Sequence, residues 1–261
     1  MKKFFFILCA AIICSSFSSL KIDVYSVIKV IGSIKHANNK ALFTGDKILS
    51  NEKLSFANDQ SKAALVSKEK GRLMLGATPS GKVSEGLMPA LSNVSSRSGA
   101  LINAIDFTNH FANKYLILSG YEVEINAASF PMNDDKFFFL RFNYNGEEIS
   151  KKLSFENNKL KMIASEILKI DGKPISLRPG TTAQLVYRNS INKTSETVAT
   201  FEPVFTDEKS LKNECKLIFY ELGAEANKDE TIEQLLSYLT ENYGKPLQSN
   251  FTQWVKFNLG I

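Results

Sequence analysis

The chain is poor in the side chains that most catalysis and metal binding draw on. Its 261 residues hold two histidines, His36 and His110, three cysteines and one tryptophan, Trp254. Two of the cysteines, Cys9 and Cys14, lie in the first fourteen residues, and Cys215 stands alone in the rest. One cysteine closes no intrachain disulfide, so whatever follows the leader is held by its cores. A structural zinc site wants four nitrogen or sulfur ligands, and no Cys/His cluster supplies them. No metal and no cofactor is therefore expected. Charge of one sign is also missing. Lys and Arg number 32 against 27 Asp and Glu, a formal +5 that falls to +3 without Lys2 and Lys3. The lysines are scattered, with no basic stripe interleaved with aromatics, which argues against nucleic acid as a partner. Beyond the first fifteen residues no apolar run reaches the length of a membrane span.

What is present begins with a leader. Lys2-Lys3 is a short positive region, and Phe4 to Ile13 is an apolar run too short to cross a bilayer. Ser16 and Ser18 put small residues at the −3 and −1 positions of a cleavage site. The expectation is a signal peptide over 1–18, a mature chain starting near Ser19, and a periplasmic or secreted protein. Ile13 stands before Cys14 where lipid-transfer enzymes want a small residue, so a lipoprotein is not expected.

The remainder reads as mainly β with α. Residues 19–76 are short β-rich runs broken by Gly, Asn and Asp, the pattern of a small antiparallel barrel or sandwich. Residues 77–98 read as a polar connector rich in Ser, Gly and Pro. Residues 99–261 read as a β sandwich, immunoglobulin-like or similar, with a leading helix and three C-terminal helices. In the first region the order Val30-x-Gly32-x-Ile34, Leu42-x-x-Gly45-Asp46-x-Ile48, Leu54-x-Phe56, Ser61-x-Ala63 and Gly71-x-Leu73-x-Leu75 resembles the FecR-type β domain of bacterial envelope proteins. The likeness covers about a fifth of the chain.

Ser98 can cap a helix over 99–113, with Leu101, Ala104, Ile105, Thr108, Phe111 and Ala112 on its apolar face. Phe138, Leu140, Phe142 and Tyr144 alternate into Asn145-Gly146, a two-residue hairpin turn. That turn pairs Tyr144 with Glu147, Phe142 with Ile149 and Phe138 with Leu153, on a return strand running to Phe155. The opposite face of the first strand carries Phe137, Phe139 and Arg141. Either a helix covers that face or it binds a partner, and the apolar stripes of the C-terminal helices favour their covering it. Those stripes are Leu211, Cys215, Ile218 and Leu222; then Ile232, Leu235, Leu236, Leu239 and Tyr243; then Phe251, Trp254 and Val255.

Each catalytic constellation has a plainer explanation. Gly76 to Lys82 has the G-x-x-x-x-G-K spacing of a phosphate loop, but Val83 replaces the hydroxyl that would hold Mg²⁺, and the following segment, Ser84 to Pro89, is a poor helix former. Cys215 sits in an apolar stripe, as a small core residue does. Asp106 and His110 are i, i+4 neighbours without further ligands. The acid pairs Asp134-Asp135, Glu147-Glu148 and Glu122 with Glu124 lie beside turns or on an outer strand face. The sequence thus points to a non-catalytic cell-envelope accessory or adaptor protein with a protein or polysaccharide partner. Its candidate surface is Phe137, Phe139 and Arg141. The second reading is a carboxylate-dependent hydrolase of envelope or extracellular polymers.

Overall fold

A computed structural model describes residues 22–90, 100–223 and 228–260. The expected leader, its expected cleavage site and the expected Ser98 cap fall outside the described residues. The described chain is a β-rich α+β fold with antiparallel sheets and C-terminal helices. Among those residues no helix is long and apolar enough to cross a membrane.

The first region forms β1 (Val24–Ile31), β2 (Ile34–His36), β3 (Lys47–Leu49), β4 (Leu54–Phe56), β5 (Lys62–Ser67), β6 (Gly71–Gly76), the one-turn helix α1 (Val83–Gly86) and β7 (Leu87–Pro89). Five of the strands make an antiparallel sheet in the order β3-β1-β5-β6-β7, and β2 pairs with β4 beside it. β5 explains the design. Its run Ala63-Ala64-Leu65-Val66 is buried throughout, because a strand covered on both faces has no polar alternation. Ala63 and Leu65 enter one core with Tyr25, Val27, Ile48 and Leu75. Ala64 and Val66 enter another on the opposite face, with Ile28. Part of the expected connector belongs to this unit. Val83 is buried in its core, and β7 pairs with β6, Leu75 opposite Leu87.

The second region runs α2 (Ala104–His110), β8 (Lys114–Leu116), β9 (Glu122–Glu124), β10 (Lys136–Tyr144), β11 (Glu147–Lys152), β12 (Phe155–Glu156), β13 (Lys159–Lys161), α3 (Ala164–Ile167), β14 (Lys169–Ile170), β15 (Lys173–Pro174), β16 (Ala183–Asn189) and β17 (Thr194–Val204). After it come α4 (Glu208–Leu222), α5 (Lys228–Asn242), β18 (Lys245–Pro246) and α6 (Gln248–Leu259). The large sheet has the order β11-β10-β16-β17-β8-β18, and β12-β13-β9 forms a smaller one. Both contribute to a single core: Phe138, Leu140, Phe142, Leu185 and Phe201 from the large sheet, Val123 and Leu160 from the small one, with Phe107 and Phe111. β8 pairs parallel to both β17 and β18, unlike the all-antiparallel pairing of an immunoglobulin sandwich.

The hairpin has the expected register: Tyr144 opposite Glu147 and Phe142 opposite Ile149. Asn145 and Gly146 both take positive φ, which a tight two-residue turn of the primed type requires. The Leu153 N–H donates to the Phe138 carbonyl, but β11 ends at Lys152 and Phe155 passes into β12.

Two expectations are corrected. The leading helix is short and turned. Asn103 caps it in a reciprocal pair with Asp106, Phe107 and Phe111 are fully buried, and Ile105 is 71% exposed. The rings at i, i+4 bury more area than the smaller Ala104, Ile105 and Thr108 face, so they take the core. The C-terminal helices also pack elsewhere than expected. Their stripes, Leu211, Cys215 and Ile218, Leu235 and Leu239, Phe251 and Trp254, meet Ile28, Ala64 and Val66 of the first sheet and Leu116 and Leu118 at β8. Phe137 and Phe139 are not in that core. The first sheet offers the helices a flat apolar face, whereas the β10 face carries cations. Polar contacts pin the docking: Ser26 donates to Glu221, and Arg72 donates to Gln234, Ser237 and Glu241.

Candidate ligand-binding face

The catalytic candidates are spoken for. Cys215 is fully buried, and burial, then the charges of Glu214 and Glu208, push its thiol far up, so no thiolate forms at neutral pH. His110 leaves Asp106 to the helix cap and turns to two phenols, 2.7 Å from Tyr115 Oη and 3.3 Å from Tyr121 Oη. Burial, with the charge of Lys245, lowers its pKa to about 4, so the ring is neutral at pH 7. His36 Nδ1 lies 2.6 Å from Glu52 Oε1. Among the described residues no group of three or more His, Cys, Asp or Glu is placed to hold a metal.

The phosphate-loop look-alike is a turn that consumes its own amides. A phosphate cradle needs backbone N–H groups pointing at open space. Here the N–H of Gly81 donates to Thr78, that of Lys82 to Ser80 Oγ, that of Val83 to Glu52 and that of Ser84 to Ser50. The acids are equally occupied or plainly solvated. Glu122 is ion-paired with Lys159 and Lys161, at 3.4 and 3.3 Å. Asp134, Asp135, Glu147 and Glu148 are exposed at turns.

Sequence reasoning missed the buried polar groups between sheet and helices. Glu214 on α4 is 7% exposed, accepts from Tyr238 Oη at 2.7 Å and from Tyr243 Oη, and lies 3.8 Å from Lys29 Nζ. The lysine lies over the Tyr243 ring, 3.6 Å from its centroid, and burial lowers its pKa. A Glu midway along an apolar stripe, beside Cys215, is the one trace of this in the sequence.

Phe137, Phe139 and Arg141 are brought together, as their alternation on β10 requires. They share a face with residues from three further strands. Phe139 stands between Lys152 of β11 and Val186 of β16, and Phe137 is opposite Arg188. The rings are not a bare platform. Lys152 Nζ lies 4.4 Å from the Phe137 centroid, and the Arg141 guanidinium lies 5.2 Å from that of Phe139. Phe139 is only 9% exposed. Each ring thus holds a cation by its negative face, and the alkyl stems cover the apolar area. Lys152 and Ser150 on one side, and Thr197 and Thr200 of β17 on the other, are exposed. At the hairpin tip the face runs into a depression of about 440 Å³ lined by Asn143, Tyr144, Arg178 and Thr181.

The face presents positive charge and hydroxyls together on one sheet, with Arg141 ion-paired to Glu148. Comparison with protein-family models, with curated proteins and with solved structures found no match to this chain.

Proposed function

We propose that this chain is an exported cell-envelope accessory or adaptor protein, periplasmic or secreted, that binds a protein or polysaccharide partner and catalyses no reaction. The leader pattern supports export, and the Gly-hydrophobic pattern of residues 19–76 supports a FecR-type β domain in the first region. The observation that carries the binding reading is the β10 face, where Lys152 and Arg141 lie over Phe137 and Phe139 beside the exposed Ser150, Thr197 and Thr200.

Two measurements test it. N-terminal sequencing of protein recovered from its host should read from near Ser19; an intact Met1 or a lipid on Cys14 would remove the export reading. Labelled mature protein should co-sediment with washed envelopes of its host, and Arg141→Glu with Lys152→Glu should release it. Release of soluble sugars or peptides from those envelopes by the purified protein would instead make it a hydrolase.

A further inference from the structure

The rest of the molecule offers less. The His110 cluster is closed and aromatic, the Lys29–Glu214 network is internal, and the exposed Phe257, Ile102 and Ile105 carry no feature that selects a partner. The β10 face carries the argument further. Resting on the binding reading above, we infer that this face takes a polyanionic polysaccharide chain, such as a polyuronate.

Charge is the first reason. Across β11, β10, β16 and β17 the face presents Arg141, Lys152 and Arg188 against two acids: Glu148, whose Oε1 lies 3.4 Å from Arg141 Nε, and, toward the β8 edge, Glu202, whose Oε1 accepts from the Gly180 N–H. The cations are spread over three strands rather than bunched. Neighbouring strands lie about 4.8 Å apart, so the charges span roughly the width of a few sugar rings. They are also pre-placed. Two of the three rest on aromatic rings, which lowers the entropy lost when they are ordered on a ligand.

Chemistry decides between a sugar and an acidic protein. A protein interface needs an apolar centre where anchors are desolvated. Here both rings are already covered by cations, and the groups left facing solvent are charges and the hydroxyls of Ser150, Thr197 and Thr200. Hydroxyls and fixed cations on a flat surface suit a chain carrying carboxylates and hydroxyls along its length. They offer a folded acidic protein no apolar centre, and the depression at the hairpin tip is lined mostly by polar residues.

Affinity electrophoresis of the mature protein in gels holding polygalacturonate, its methyl ester, dextran or poly-glutamate tests this. The polyuronate should retard the protein, and the two uncharged polymers should not. Retardation should fall about tenfold in Arg141→Gln/Lys152→Gln/Arg188→Gln and when the salt is raised from low to about 0.5 M. A control with the same charge loss in the first region, Lys35→Gln/Lys40→Gln/Lys62→Gln, should be retarded by the polyuronate, relative to its own mobility in a polymer-free gel, as much as wild type is. Equal unfolding midpoints in urea establish that both variants are folded. Equal retardation by the methyl ester or dextran, stronger binding to poly-glutamate, or an equal loss in the control would each overturn the inference. So would binding to none of the four polymers. If co-sedimentation with envelopes persists in that case, only the polyuronate inference falls; if it too is absent, the binding reading falls with it.

Discussion

At the residue scale, burial decides which groups can titrate or react. His110 binds its proton more weakly in the folded state, at about 4, than in the unfolded chain near 6.5. Between those values the unfolded chain holds more protons, so stability falls as the pH drops from about 6.5 toward 4 and is unaffected above that window. The full difference is about 3 kcal/mol. Urea unfolding at pH 7.5, 6.0 and 4.5 should show the decline, and His110→Gln should flatten part of it. An equal decline in the variant would place the titration elsewhere. Cys215 has no exposed surface and a thiol held in its protonated form. It should react with a thiol reagent only on unfolding, and Cys215→Ala should cost about 1 kcal/mol while leaving ligand binding intact. Fast labelling of the native protein would contradict its place in the helix core.

Elements differ in how much of themselves the chain announces. The β10–β11 hairpin was legible to the residue pair because two independent signals agree, the alternation of Phe138, Leu140 and Phe142 and the Asn145-Gly146 turn. Phe137, Phe139 and Arg141 were legible as one face by the same parity. Lys152 follows from the same hairpin register, which puts it with Arg141 and Ser150 on that face; Arg188 does not, since a strand neighbour distant in sequence follows only from the sheet order. α2 was legible as a helix but not in its facing. Leu101, Ile105, Phe107 and Phe111 admit two faces, and only the core it meets selects one. The C-terminal stripes said that three helices bury an edge and said nothing of what they bury it against. Gly244 makes one such contact measurable. Its φ is +108°, and a Cβ there would sit 2.5 Å from the Lys114 carbonyl oxygen, where β18 meets β8. Gly146 also has positive φ, yet open space lies around it. Gly244→Ala should therefore cost about 2 kcal/mol or more, and Gly146→Ala about 1. Chemical denaturation of the two variants checks the order.

For the whole molecule, the first sheet is the shared wall. One face closes its own core with Tyr25, Ile48 and Leu75, and the other is closed by α4, α5 and α6. A fragment of residues 22–90 would leave Ile28, Ala64 and Val66 in water. It should bind a hydrophobic dye and melt without a cooperative transition, whereas the full chain melts cooperatively. A fragment that unfolds sharply on its own would show that the helices are dispensable to it. β8 adds a second constraint. Three residues long, it is held between β17 and β18, strands about ninety and a hundred and thirty residues further on. Its partners do not exist while the chain is half made. The first sheet, although it emerges first, waits on the last fifth of the protein for its cover. Folding is thus deferred to the completed chain, and because the closing contacts are so distant in sequence it is slow. Through that interval the nascent protein exposes apolar strand surface, which makes it a client for whatever chaperone keeps unfinished chains apart.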